Sequence, residues 1–238
     1  EKMSSSKGNI LDPLELKEEY GADAVRFAMA SSTTKGRGMK LSEGEIEDKR
    51  NFLIKLWNAA RFALPHLEEG EAKLPEAGDL ELEDRWILSR LTRTVEFVTN
   101  KLEDYSFKAA TKSLYSFVWN DFCDWYLELI KPRLYSEDED KVARQVLGHV
   151  LDETLRLLHP FIPFVTEEIW NKIPGTAKPL MKRDYPETEE ELRDSKVEEE
   201  LESLQEMIKA VRNVRGEMNI PTGKGIKVLI DTEDVDLG

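Results

Sequence analysis

Cysteine is nearly absent from these 238 residues: Cys123 stands alone, which excludes an intramolecular disulfide and a cysteine-cluster zinc site. Three scattered histidines do not replace it, so no structural metal is expected. No run of about 18 apolar residues is present to span a membrane, and Glu1–Lys7 holds none of the apolar stretch of a secretory signal. A soluble, cytoplasmic chain is expected. A surplus of basic residues is also missing. With 48 acidic against 34 basic side chains the net charge is −14, an average that argues against a polyanionic partner.

The average conceals an asymmetry. Eight basic residues fall between Arg26 and Arg61, against the four acids Glu43, Glu45, Glu47 and Asp48. Between Asp184 and Glu206 eleven acids face only Arg193 and Lys196. Charges separated by more than about 8 Å are screened from one another, so a locally basic surface survives in an acidic protein. Solvated helix faces are the plainer reading of the same charges.

What the sequence does hold is helix punctuation. Asp12-Pro13 reads as an N-cap with proline at the first helical position, and Gly21 closes that short helix before Ala22 opens another. Ser42 with Glu45 forms a capping box for a long helix to about Leu64, ahead of Pro65. Three amphipathic segments follow, at about 83–104, 107–131 and 138–158, and a shorter one after Pro163. The expected fold is mainly α, an antiparallel helix bundle. A linker rich in proline and charge leads to a final helix at about 195–217 and a lone strand, Ile226–Ile230, the start of a small α/β unit.

On the long helix, a turn of 100° per residue puts Leu53, Leu56, Ala60 and Leu64 on an expected core face. Asn51, Lys55, Asn58 and Phe62 gather within roughly 60° of one another on the other side. Amides for base edges, a cation for phosphate and a ring for stacking are what unstacked bases require. Arg50, Trp57 and Arg61 flank that stripe. A solvated stripe with Phe62 packed under the next loop is the alternative. Trp119, Phe122, Trp125 and Tyr126 read as a core stripe, Cys123 as a small buried side chain, and His159 as part of a helix end. Arg212 and Arg215 either pair with Glu206 or Glu217 or touch RNA.

Several segments resemble a known family. Lys2-Met3-Ser4-Ser5-Ser6-Lys7-Gly8-Asn9 is similar to the Lys-Met-Ser-Lys-Ser signature of class I aminoacyl-tRNA synthetases, with Ser5 where the family carries its second lysine. Either Lys7 replaces that charge, or Lys2 and backbone amides suffice. Gly21-Ala22-Asp23-Ala24-Val25-Arg26-Phe27 resembles the segment that follows the signature in the valine, isoleucine, leucine and methionine enzymes, and Asn51–Phe62 resembles the first helix of their anticodon-binding domain. Phe117–Glu128, Leu158–Trp170 and Val211–Pro221 point to the valine-specific members.

The resemblance implies four regions: residues 1–41, the signature loop and tail of a catalytic domain; 42–174, an anticodon-binding bundle; 175–194, a linker; and 195–238, the truncated α/β start. It implies ATP contacts at Lys2, Ser4, Ser5, Ser6 and Lys7, with Lys2, Ser5 and Lys7 catalytic, and tRNA contacts at Phe62, Lys55, Asn51, Asn58, Arg61 and Arg50. The partners implied are tRNA(Val), and for a longer protein valine and ATP with magnesium, acting as a monomer. Glu1 in place of an initiator methionine fits a piece of such a protein, one expected to hold no ATP tightly and not to aminoacylate alone. An isoleucine-type fragment and a helical protein-interaction module remain as alternatives.

Overall fold

The computed structural model describes residues 12–33, 41–67, 74–136, 140–176, 178–221 and 223–229. The signature-loop residues Lys2, Ser4, Ser5, Ser6 and Lys7 lie outside them. The chain divides into two compact units, 1–194 and 195–238.

In the first unit the caps set the helix boundaries. The Asp12 carboxylate accepts the Leu14 N–H at 2.8 Å and Pro13 opens α1 (Pro13–Tyr20). Gly21, at φ 89°, takes the left-handed turn into α2 (Ala22–Ser32) that a side chain would resist. For α3 (Glu43–Ala63), Ser42 Oγ accepts the Glu45 N–H at 3.3 Å and Glu45 Oε2 accepts the Ser42 N–H at 2.9 Å, the reciprocal capping box. Next come α4 (Leu82–Glu103), α5 (Phe107–Ser116), a π-helical stretch over Phe117–Tyr126, and α6 (Leu127–Leu134). The last three join into one rod from Phe107 to Leu134. Helices α7 (Lys141–Leu158) and α8 (Pro163–Trp170) complete the unit.

Direction follows from the side-chain pairs. Asp84 meets Arg133 while Arg90 meets Asp121, so α4 runs against the rod. Phe52 stacks on Tyr115 while Phe62 lies beside Tyr135, so α3 runs with it. The bundle is therefore up-down-up-down, with a core that includes Phe52, Leu56, Ile87, Leu114, Phe122, Tyr126, Ile130, Leu147 and Leu151. On α3 the buried residues are Ile46, Phe52, Leu56, Ala59, Ala60 and Ala63, whereas Leu53 and Leu64 are half-buried. This corrects the expected face. The helix is gripped from two sides, by α1 and α2 through Ile46 and Leu53 and by the rod through Phe52, and no single stripe describes that.

Asp23 and Arg26 have a structural explanation. Asp23 is buried, and its carboxylate accepts the backbone N–H groups of Val165 at 2.7 Å and Phe164 at 3.4 Å, capping the start of α8 from 141 residues away. Burial raises its pKa, against the lowering effect of those two N–H groups. Arg26 donates to the carbonyls of Phe161 at 3.2 Å and Pro160 at 3.0 Å. Phe27, the residue after Arg26, is buried, stacked on Phe52 at 5.1 Å and edge-on to Phe161 at 6.3 Å. Two distant stretches thus clamp each other. Asp23→Ala should lower stability by about 1–2 kcal/mol by removing the cap from two part-buried N–H groups at the start of α8, and an unchanged urea midpoint would contradict this.

In the second unit, α9 (Ser195–Glu217) ends where Asn219, at φ 51°, lets the Ile220 N–H return to the Arg215 carbonyl at 2.9 Å. Arg215 donates to the Pro221 carbonyl. The expected strand is corrected. Residues 223–229 form no strand, and Ile226, Val228 and Leu229 are exposed, because no ladder partner exists among the described residues.

Candidate nucleic-acid interface

The stripe expected on α3 is present, and the structure gives it a second wall. Asn51, Asn58, Arg50 and Arg61 are exposed, while Lys55 and Phe62 are half-buried against the rod. Seven residues of helix separate Lys55 from Phe62, about 10 Å along the axis. Beside them the rod presents a matching series, with Trp119 and Asp124 next to Lys55 and Lys131 and Tyr135 next to Phe62. The result is a shallow track along α3 with a cluster of side chains near each end.

At the upper end Phe62 is set among rings. Its centroid lies 5.5 Å from His66 and 6.4 Å from Tyr135, and His66 and Tyr135 meet edge to face at 5.5 Å. The ammonium of Lys131 sits 5.7 Å from the Phe62 centroid. Tyr135 remains 68% exposed, so the cluster opens to solvent rather than closing as core. Burial, followed by the positive charge of Arg144, lowers the His66 pKa and keeps the imidazole neutral near pH 7. A neutral ring can both donate to and accept from a base edge.

At the lower end Lys55 is engaged. Its ammonium bonds Asp124 Oδ1 at 2.5 Å and stands 3.9 Å above the Trp119 ring. Trp119 in turn stacks on Tyr115 at 5.4 Å with planes 6° apart, and Tyr115 stacks on Phe52 at 5.0 Å. Lys49 lies 4.6 Å from the Tyr115 centroid, and burial lowers its pKa. A ladder of rings therefore leads from the core to the track.

Sequence reasoning missed Trp119, Asp124, His66, Lys131 and Tyr135. Trp119 was expected in the core with Phe122, Trp125 and Tyr126, but only those three are buried. The cause is the π-helical winding over Phe117–Tyr126, whose i→i+5 hydrogen bonds widen the turn and shift residues off the α-helical stripe. Cys123 is largely covered, and burial pushes its thiol pKa up to about 12, leaving it protonated and unreactive. His159 accompanies a helix end: its Nδ1 lies 2.8 Å from Thr166 Oγ1.

A helix bundle that lines one edge with amides, cations and half-open rings belongs to a class of helical domain chemically suited to unstacked nucleotides. Sequence comparison takes this further. The family described as "Anticodon-binding domain of tRNA ligase" matches residues 84–230, and "tRNA synthetases class I (I, L, M and V)" matches residues 1–42. The chain belongs to the anticodon-binding domain family of tRNA ligases. It is 46% identical over 240 residues to a valine–tRNA ligase of Latilactobacillus sakei and 47% identical over 234 residues to one of Thermotoga maritima. These alignments cover 99% and 98% of this chain but only 27% of each relative's length. Among solved structures, a ternary complex of Agrobacterium radiobacter LeuRS with tRNA and LeuAMS superposes with a TM-score of 0.66 at 27% identity, covering 81% of this chain and 23% of that one. Among the described residues no helix is long and apolar enough to cross a membrane.

Proposed function

We propose that this chain is the part of a cytoplasmic valine–tRNA ligase that holds the anticodon of tRNA(Val), and that the track along α3 is where it does so. The observation that carries the reading is the Phe62 cluster, a ring fixed by His66 and Tyr135 yet open to solvent, beside cations and exposed amides on the same helix. A base splayed from the anticodon loop stacks on Phe62. Asn51 and Asn58 offer hydrogen bonds to base edges, and Lys55, Arg50 and Arg61 meet phosphates.

The longer protein, acting as a monomer, activates valine with ATP and magnesium and transfers it to the tRNA. There the signature loop serves ATP: Lys2, Ser4, Ser5, Ser6 and Lys7 supply ammonium and hydroxyl donors for triphosphate oxygens. Lys7→Ala in that longer protein should lower ATP–pyrophosphate exchange if Lys7 stands in for the family's second lysine, and an unchanged rate would discard that role.

The domain-level test is a titration of the 238-residue chain with tRNA(Val) transcripts bearing native and altered anticodons. Binding should favour the native anticodon, and with two or three phosphates neutralised the slope of log K against log salt should be about −2. A chain that retards no tRNA at low salt, or retards all anticodons equally, would count against the reading and favour a protein partner.

A further inference from the structure

Lys55 is the cation at the lower end of the proposed track, yet its ammonium is occupied. Asp124 Oδ1 holds it at 2.5 Å, and the Trp119 ring lies beneath it at 3.9 Å. A carboxylate oxygen and a phosphate oxygen ask the same of an ammonium group, so the two compete for it. The pair is open enough for the exchange, with side-chain exposures of 25% for Lys55 and 47% for Asp124.

The π-helical stretch builds this arrangement. Trp119 and Asp124 are five residues apart, and both lie within Phe117–Tyr126. In an α-helix, positions five apart diverge by about 140°, whereas the wider turn of a π-helix, with its i→i+5 hydrogen bonds, narrows that divergence and brings them toward one side. The wider winding thus presents a ring and a carboxylate to one lysine of α3. The same two side chains on an α-helix would face different neighbours.

We infer that Asp124 is a built-in competitor for RNA: its carboxylate occupies Lys55 in the free protein, in the position that a backbone phosphate takes in the complex. The inference rests on the proposed anticodon track and adds to it a residue that opposes binding. The free protein keeps Lys55 ordered over Trp119 without a bare cation on the surface. A phosphate arriving alone must displace Asp124 without the help of a stacked base, so polyanions that do not also engage Phe62 are disfavoured.

The test is a double-mutant cycle on the 238-residue chain, using tRNA(Val) and a non-cognate tRNA transcript at low salt. Asp124→Asn should tighten binding of both transcripts about two- to fivefold, the equivalent of releasing a partly exposed ion pair. Both should respond because a phosphate contact carries no sequence information. In a Lys55→Met background the gain should vanish. Unchanged or weaker binding by Asp124→Asn would overturn the inference, and so would an equal gain in the Lys55→Met background, which would make Asp124 only a diffuse negative charge. Thermal unfolding of Asp124→Asn and Asp124→Ser identifies any variant that fails to fold, and the other then completes the cycle. If the unmodified chain binds tRNA and Phe62→Ala weakens it while Asp124→Asn is silent, the competitor falls and the track stands. If the unmodified chain binds no tRNA, the track falls and takes the competitor with it.

Discussion

Replacing Phe62 by alanine should weaken binding of tRNA(Val) by roughly fivefold to more than a hundredfold, since base–aromatic stacking is worth about 1–3 kcal/mol per base. The upper part of that range is favoured by how the ring is held. His66 and Tyr135 pack against it and the Lys131 ammonium lies 5.7 Å from its centroid, so little freedom remains to be lost on stacking. Stability should change far less than affinity, because Phe62 is half-buried at the bundle edge while the α3 core rests on Ile46, Phe52 and Leu56. Phe62→Tyr keeps the π face and should keep most of the affinity. Phe62→Leu keeps apolar bulk without a π face and should lose most of it. Equal affinity for the leucine and tyrosine variants would mean that Phe62 only packs, and unchanged affinity for alanine would remove it from the interface.

Helix boundaries were legible because local chemistry sets them. Asp12-Pro13, Gly21, the Ser42–Glu45 box and Pro163 each act within a few residues, and each marks an observed helix end. The stripe of Asn51, Lys55, Asn58 and Phe62 was legible for a similar reason, as α3 holds α-helical winding throughout. What faces the stripe was not. Asp124 lies 69 residues from Lys55, and its approach depends on a π-helical stretch for which 3.6-residue periodicity has no term. Tyr135 follows α6 and reaches Phe62 only because the rod runs alongside α3. The Gly21–Phe27 segment stood out by resemblance alone, and its physical reason, Asp23 capping α8 and Arg26 holding the turn before it, spans more than 130 residues. The expected strand at Ile226–Ile230 rested on composition, and a strand needs a partner that composition does not supply.

Arg133→Met should be among the most destabilising single changes in the first unit, at about 3–5 kcal/mol, for it removes the shared partner of a part-buried ionic cluster and leaves the buried Asp84 uncompensated. Arg133 Nη1 donates to Glu83 Oε1 at 2.8 Å and Asp84 Oδ2 at 2.7 Å, and its Nε donates to Asp140 Oδ2 at 2.7 Å. Its side chain is 16% exposed and that of Asp84 is 0% exposed, so water cannot replace what Asp84 loses, while Glu83 at 19% and Asp140 at 27% are partly open to it. Burial alone would lower the Arg133 pKa, but the hydrogen bonds it donates to Asp140, Glu83 and Asp84 outweigh it and raise the value, while burial raises that of Asp84. One guanidinium thus ties the start of α4 to α6 and to Asp140, which caps α7 through the Ala143 N–H at 2.9 Å. Arg133→Lys keeps the charge but not the fork that spans three carboxylates, and should fall between the methionine variant and the unmodified chain. Adding Asp84→Asn to Arg133→Met should recover part of the loss by removing an uncompensated buried charge. In thermal unfolding the methionine variant should melt roughly 6–20 °C lower, against a shift of no more than a few degrees for Lys172→Met, which breaks the exposed Glu168–Lys172 pair and a loose approach of the ammonium to the Trp57 ring at 5.8 Å. Equal shifts for the two would show that the cluster does not hold the bundle. The effect should also reach the track, because Lys131 and Tyr135 lie two residues to either side of Arg133 and depend on the end of α6 that Arg133 anchors. Measured well below its own melting temperature, Arg133→Met should still bind tRNA more weakly than the unmodified chain.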